Sequence, residues 1–224
     1  MTNTNTIYTA PMGSLLDLID LAYAAGADPS VVPAAATKIT NSKGEVYGLL
    51  TKVGERNILA FRGTMTPEEW LEDFRGVPQL TGPLAGVHVG FADIYESLFS
   101  SLDKALNTMF LGDHRIEITG HSLGGALAQL AANYYFCRNV VTFAGPRTGV
   151  AGWALQSVSQ NWVRVANTHD IVPHLAPRPV FSHPGRLGTF QGSGNPFDAK
   201  HAHIMTTYRP GVLANPLLTL EAVS

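Results

Sequence analysis

Gly120-His121-Ser122-Leu123-Gly124-Gly125 follows the β-branched run Ile116-Glu117-Ile118-Thr119 and precedes the apolar-periodic stretch Ala126 to Phe136. That order puts a serine on a turn from strand to helix. Such a turn strains the serine's dihedrals and brings backbone close to backbone, so the positions two before and two after it, Gly120 and Gly124, must lack side chains. Ser122 Oγ is then expected to stand at the sheet's edge, with the first amides of the next helix, beginning with Leu123 N–H, aimed at negative charge developing beside it. One segment offers a nucleophile and an oxyanion donor. A Gly-Ser turn that merely starts a helix spells the same letters, so the remaining residues have to supply the serine's partners.

The chain has 224 residues, 45% of them hydrophobic, enough for one well-buried α/β domain and too short for two ordinary ones. A single domain over 1–224 is expected. Charged residues make up 14% against a usual share of about 25%, and the net charge of −2 is spread without long basic or acidic blocks. This points away from nucleic acid and anionic membranes. The single cysteine, Cys137, has no intrachain partner and is read as a buried free thiol. The opening stretch Met1 to Pro11 has no basic residue, and Asp17 and Asp20 interrupt the first apolar run, so no signal peptide is read and a cytoplasmic location or signal-independent export is expected. No apolar run is long enough for a transmembrane helix.

Leu15, Leu16, Ile19, Leu21 and Ala22 fit a helix over about 14–25. Glu45 to Thr51 and Arg56 to Arg62 read as a hairpin or adjacent strands. Phe91, Ile94, Tyr95, Leu98, Leu102 and Leu106 share one face of a helix spanning 91–110. Val140 to Phe143 and Trp162 to Ala166 are short apolar runs of the kind found in central strands covered on both faces. Strands alternating with helices indicate an α/β fold with a mostly parallel sheet. From Ile171 to Asn195 the chain is rich in Pro, Gly and His and reads as loop-dominated, and such loops beyond strand ends are where α/β proteins keep their chemistry. Leu213, Leu217 and Leu218 are candidates to dock a last segment on the core.

A nucleophilic serine needs a base in reach and an acid that fixes the base's tautomer, in the chain order Ser, Asp or Glu, His for this fold. The acids beyond Ser122 are Asp170, Asp198 and Glu221. Asp170 sits in a loop just after the strand Trp162 to Ala166, and Asp198 in a polar loop near histidines is the weaker candidate. An Asp capping a turn before Pro173 is the structural alternative. The histidines are His169, His174, His183, His201 and His203, and spacing alone does not decide among them. His201 and His203 also have the look of a metal pair, but no cysteine or acidic cluster completes a ligand set.

Several further stretches, in order along the chain, are similar to the class 3 lipase family, the α/β-hydrolases typified by fungal triacylglycerol lipases. Phe61-Arg62-Gly63-Thr64 followed by Trp70 resembles its oxyanion segment and lid start, and Val87-His88-Val89-Gly90-Phe91 the segment after the lid. Gly120 to Gly125 resembles its nucleophile turn, Phe143 to Gly149 the strand end that follows, and Asn167 to Pro173 its acid loop. His203-Ile204-Met205-Thr206-Thr207-Tyr208 resembles its terminal histidine motif, with a tyrosine five positions after the base. The resemblance implies an α/β-hydrolase fold, a catalytic set of Ser122, Asp170 and His203, and oxyanion donors on Thr64 and Leu123. Thr64 also has the sequence position of a cap for a helix starting near Pro67.

The implied reaction is ester hydrolysis through an acyl-enzyme on Ser122, most simply by a lipase on acylglycerols, with no metal or cofactor. The partners expected are an ester or lipid substrate, at an oil-water interface for a lipase. Pro67 to Phe74 can form a short amphipathic helix, in the family's lid position; Met65, Trp70, Leu71 and Phe74 are read as lid and substrate-binding residues. The chain departs from the larger extracellular members in lacking a readable signal peptide and a cysteine pair. The short stretches between Ser122, Asp170 and His203 leave little room for insertions around the acyl site, so a soluble short-chain carboxylesterase, feruloyl-type or phospholipase-like, is the rival within hydrolases. A lipase-like binding protein without turnover is the rival outside them; it requires a broken triad.

Overall fold

The computed structural model describes residues 20–21, 35–64, 77–109, 116–155, 161–192, 199–214 and 220–221. The expected lid, with Met65, Trp70, Leu71 and Phe74, lies outside them, as does most of the expected first helix, of which Asp20 and Leu21 are helical. Cys137 is free and buried.

Among the described residues, one eight-stranded sheet runs in chain order from β1 to β8. The strands are β1 (Thr37–Thr40), β2 (Val46–Val53), β3 (Arg56–Phe61), β4 (Ile116–His121), β5 (Asn139–Phe143), β6 (Asn161–Asn167), β7 (Arg186–Phe190) and β8 (Leu220–Glu221). β2 and β3 form the expected antiparallel hairpin, closing at Val53 and Arg56. From β3 to β7 every pairing is parallel. The antiparallel pairs lie at the two ends.

The parallel strands are apolar on both faces because helices cover both. Leu59 and Phe61 of β3, Ile116 and Ile118 of β4, Val140 of β5 and Trp162 of β6 join one core. Helices α1 (Val89–Met109) and α2 (Leu123–Tyr134) close it. Helix α1 lays Phe91, Tyr95, Leu98, Leu102 and Leu106 on the sheet, the stripe read from the sequence, with Ile94 partly buried beside them. Helix α2 is buried without a break from Leu123 to Ala132. That burial explains its run of Gly, Ala and Leu, since a helix apolar all round belongs in the interior. The alternate residues Ile58, Ala60, Val141, Phe143, Val163 and Val165 form the second core with Phe190, Tyr208 and Val212. The last two belong to helix α5 (Met205–Ala214), which the shorter helices α3 (Ala151–Leu155) and α4 (Ala199–His203) precede in the chain.

Two expectations need correction. The stretch from Ile171 to Asn195, read as loop-dominated with no strand singled out, contains a 3-10 turn over Val172–His174 and the strand β7. Arg186-Leu187-Gly188-Thr189-Phe190 has an arginine first and a glycine in its middle, so local propensity is low and pairing with β6 makes the strand. Leu213 does not dock; it is 43% exposed, and the phase of α5 buries Tyr208 and Val212 instead, while Leu217 and Leu218 lie outside the described residues.

Helix α2 ends at a position for which its residue is poorly suited. Cys137 N donates to Ala132 O at 2.9 Å, wrapping the helix end around Phe136, which sits in the left-handed region with φ 55. Its side chain is 78% exposed. An L-residue there costs about 1–2 kcal/mol, and glycine is favoured at this place in a helix end. Phe136→Gly is expected to raise stability by about 0.5–1 kcal/mol, measured as a higher urea midpoint at unchanged slope.

Candidate active site

The site grows from the end of β4. Ser122 has φ 56 and ψ −125, a strained conformation for a residue with a side chain, and its amide donates to Phe143 O at 2.9 Å. Missing side chains make this possible. A Cβ on Gly120 would lie 2.1 Å from Gly124 O, and one on Gly124 would lie 2.4 Å from Phe61 O. Helix α2 therefore starts with its backbone against the end of β3. Gly63 runs past the serine so closely that a Cβ there would be 3.3 Å from Ser122 Cβ.

Three side chains meet in a buried line. Asp170 Oδ2 accepts from His203 Nδ1 at 2.9 Å, and His203 Nε2 is 2.8 Å from Ser122 Oγ. A carboxylate only accepts, so Nδ1 carries the proton and Nε2 is left to accept from the serine hydroxyl. Ser122, Asp170 and His203 are 2%, 1% and 4% exposed, so the line is dry and its charge-assisted contacts are strong.

Each member is held from behind. Asp170 also accepts from Tyr208 OH at 2.7 Å and from Val172 N at 2.9 Å. Tyr208 OH in turn accepts from Asn167 N at 3.0 Å. Burial first, then the Asp170 charge, pushes the Tyr208 pKa well above the ordinary phenol value, keeping it a donor. His203 ends α4, where helix carbonyls lack intrahelical partners. Asn167 Nδ2 donates to Ala202 O at 3.0 Å, and His121 Nε2 to His203 O at 2.7 Å. The His121 ring also packs on the His203 ring, centroids 4.8 Å apart. Burial, then the neighbouring His203, lowers the His121 pKa to about 3. It is a neutral donor at physiological pH.

The structure thus brings together Ser122, His203 and Asp170. His201 is exposed, and Asp198 lies outside the described residues. Leu123 opens α2, so its amide is among those without an intrahelical acceptor. Thr64 follows Gly63, and its Oγ1 is buried without a hydrogen-bond partner. Among the described residues there is no group of three His, Cys, Asp or Glu side chains placed to hold a metal ion. Sequence reading gave no role to His121 or to the side chain of Asn167. Their only signal was their place beside Ser122 and at the start of the acid loop.

The family model for class 3 lipases matches residues 58–180, more than half of the chain. The chain belongs to the class 3 lipase family. The lipase of Rhizomucor miehei is 34% identical over 134 residues, covering 53% of this chain and 37% of the relative. A secreted mono- and diacylglycerol lipase of Fusarium solani is 27% identical over 190 residues, covering 78% of this chain and 56% of the relative. The chain therefore spans less than two thirds of the length of these curated relatives. Among solved structures, a triacylglycerol lipase whose catalytic centre is described as a serine protease triad aligns with TM-score 0.65 at 27% identity, covering 79% of each chain. A fungal lipase-inhibitor complex aligns with TM-score 0.66 at 26% identity, covering 80% of each. These α/β-hydrolase neighbours agree with the fold described above.

The His121 environment in this member of the class 3 lipase family has a measurable consequence. The unfolded chain protonates His121 near its ordinary pKa of about 6.5, whereas the folded chain does so only near 3. Between those values the unfolded state binds more protons, so this stabilisation is full above the upper value and is lost as pH falls toward the lower. His121→Gln, which keeps an N–H donor, is expected to flatten the fall in stability between pH 6.5 and 4, the difference reaching a few kcal/mol. Urea unfolding of both proteins across that range measures it.

Proposed function

We propose that this protein is a serine carboxylic-ester hydrolase acting on acylglycerols. The observation that carries the reading is the hydrogen-bonded line from Ser122 Oγ through His203 to Asp170. Ser122 Oγ attacks the ester carbonyl while His203 Nε2 takes its proton; Asp170 holds the ring and stabilises the imidazolium. The protonated histidine gives that proton to the departing alcohol, leaving an acyl group on Ser122. Water enters, loses a proton to His203 and attacks the acyl carbonyl; the bond to Ser122 Oγ breaks, Oγ takes the proton back from His203, and the carboxylic acid leaves.

Charge on the carbonyl oxygen in both steps is assigned to the Leu123 and Thr64 backbone amides, with the Thr64 hydroxyl as a third donor. The unpartnered, buried Oγ1 of Thr64 supports that assignment. An oxyanion donor of this kind is worth about 10²–10³ in turnover. Thr64→Val is accordingly expected to lower kcat by about that factor with KM little changed.

The names of the relatives support lipid as the substrate class. Besides the fungal lipases, a chloroplastic phospholipase A(1) of Arabidopsis thaliana is 32% identical over 153 residues, and this favours glycerophospholipid as the second substrate to try. Ser122 is buried, which supports assigning the ester's entry to an opened form. The segment around Met65, Trp70, Leu71 and Phe74 is the part assigned to that opening, and an oil-water interface the surface that favours it.

The deciding experiment measures initial rates on p-nitrophenyl esters from acetyl to palmitoyl, on emulsified triacylglycerol and on phospholipid, for the wild type and Ser122→Ala. Turnover is expected for the wild type, with loss of about 10⁶ in kcat for the variant. An optimum at long chains that rises at the emulsion marks a lipase, and one at short chains in solution marks a soluble esterase. A wild type inert on every ester, or a variant with full activity, overturns the mechanism.

A further inference from the structure

Toward the ends of β5 and β6, on the α2 side of the sheet, positive charge collects with no ion-paired carboxylate among the described residues. Arg164 projects from β6 beside Thr142 of β5, on the face that Trp162 shares two residues earlier. Arg147 follows β5, while Arg178 and His183 come from the chain leading into β7. Burial first, and then the charges of Arg147 and Arg178, lower the Arg164 pKa to about 10. Burial and then Arg164 push His183 well below its ordinary value, although its bond to Pro173 opposes the shift. Among the described residues, none of the ion pairs involves Arg147, Arg164 or Arg178.

The hydrogen bonding is as incomplete as the charge. The Nε atoms of Arg147 and Arg164 and the Nδ1 of His183 are buried with no partner, and so is Thr142 Oγ1. Guanidinium groups cannot shed their protons to relieve this. The bonds the cluster does make all go to one loop. Arg147 donates to the carbonyls of His174 and Ala176, and His183 Nε2 donates to Pro173 O at 2.7 Å. This is the loop that follows Asp170.

We propose that Arg147, Arg164 and Arg178 form a binding site for a phosphate-type oxyanion, free in solution or carried as a lipid headgroup, with the neutral His183 ring bordering it. Several cations converging from separate segments call for a ligand with more than one negative charge. The unpartnered Nε–H groups of Arg147 and Arg164 come from different segments and call for several acceptor oxygens on one ligand, which a tetrahedral oxyanion offers. Bound there, the anion also fixes Arg147 and so braces the carbonyls of His174 and Ala176. The proposal stands whether or not the ester chemistry does.

The test titrates the full chain with inorganic phosphate against chloride at matched ionic strength, following Tm and binding heat. A saturable rise in Tm specific to phosphate is expected, with affinity at least tenfold weaker in Arg164→Gln and unchanged in Arg138→Gln, an exposed control. Should Arg164→Gln not fold, Arg178→Gln on the exposed side of the cluster is expected to weaken binding several-fold. Retention on phosphatidylcholine vesicles only when they contain phosphatidic acid, competed by inorganic phosphate, assigns the headgroup as source. Phosphate binding without vesicle retention assigns the free anion. A wild type with equal Tm in both salts and no vesicle retention, or variants that bind phosphate as the wild type does, overturns the proposal.

Discussion

The contact on which the rest depends is backbone against backbone, where the start of α2 lies on the end of β3. It exists because Gly120 and Gly124 carry no side chain; a methyl at Gly124 would overlap Phe61 O. That approach sets the direction of α2, forces Ser122 to φ 56 and brings Gly63 and Thr64 alongside it. A larger residue would move the helix, and with it one wall of the main core. Packing and chemistry share the constraint, so neither can be altered alone.

Unmet polar groups organise the rest of the site. The carbonyls at the end of α4 need donors, and Asn167 and His121 supply them. Asn167 has a second task, since its Oδ1 accepts from Gly192 N and its amide donates to Tyr208 OH. One asparagine thereby ties the acid loop, the strand after β6 and the helix bearing His203. His203 is held both by these bonds to the carbonyls at the end of its helix and by the contacts of its ring with Asp170, Ser122 and His121. The dryness that strengthens those bonds also makes any vacancy among them expensive.

Much of this was readable in the sequence, for physical reasons. A serine flanked by glycines between a β-branched run and an apolar-periodic stretch has few ways to fold, and β4, the turn and α2 follow it. The α1 stripe was readable because long amphipathic helices repeat their signal. β7 was not, because Arg186-Leu187-Gly188-Thr189-Phe190 becomes a strand only through β6. The choice of His203 over His201 came from a resemblance, since two histidines separated by one residue look alike until the helix turns one inward and leaves the other exposed. The purpose of His121 was invisible for the same reason: its partner, the His203 carbonyl, stands 82 positions away.

The strands lie side by side in the order in which they occur along the chain. A polypeptide emerging N-terminus first can thus add each new strand to an edge already waiting for it, without threading one between two others. The serine belongs to the middle of that sequence of events and the acid to a later stage. The histidine that touches the serine comes 81 positions after it, beyond β7. A chain still being made passes through a long interval with its hydroxyl seated and no imidazole beside it. Whatever reactivity that pairing confers is withheld until the scaffold around it is nearly complete.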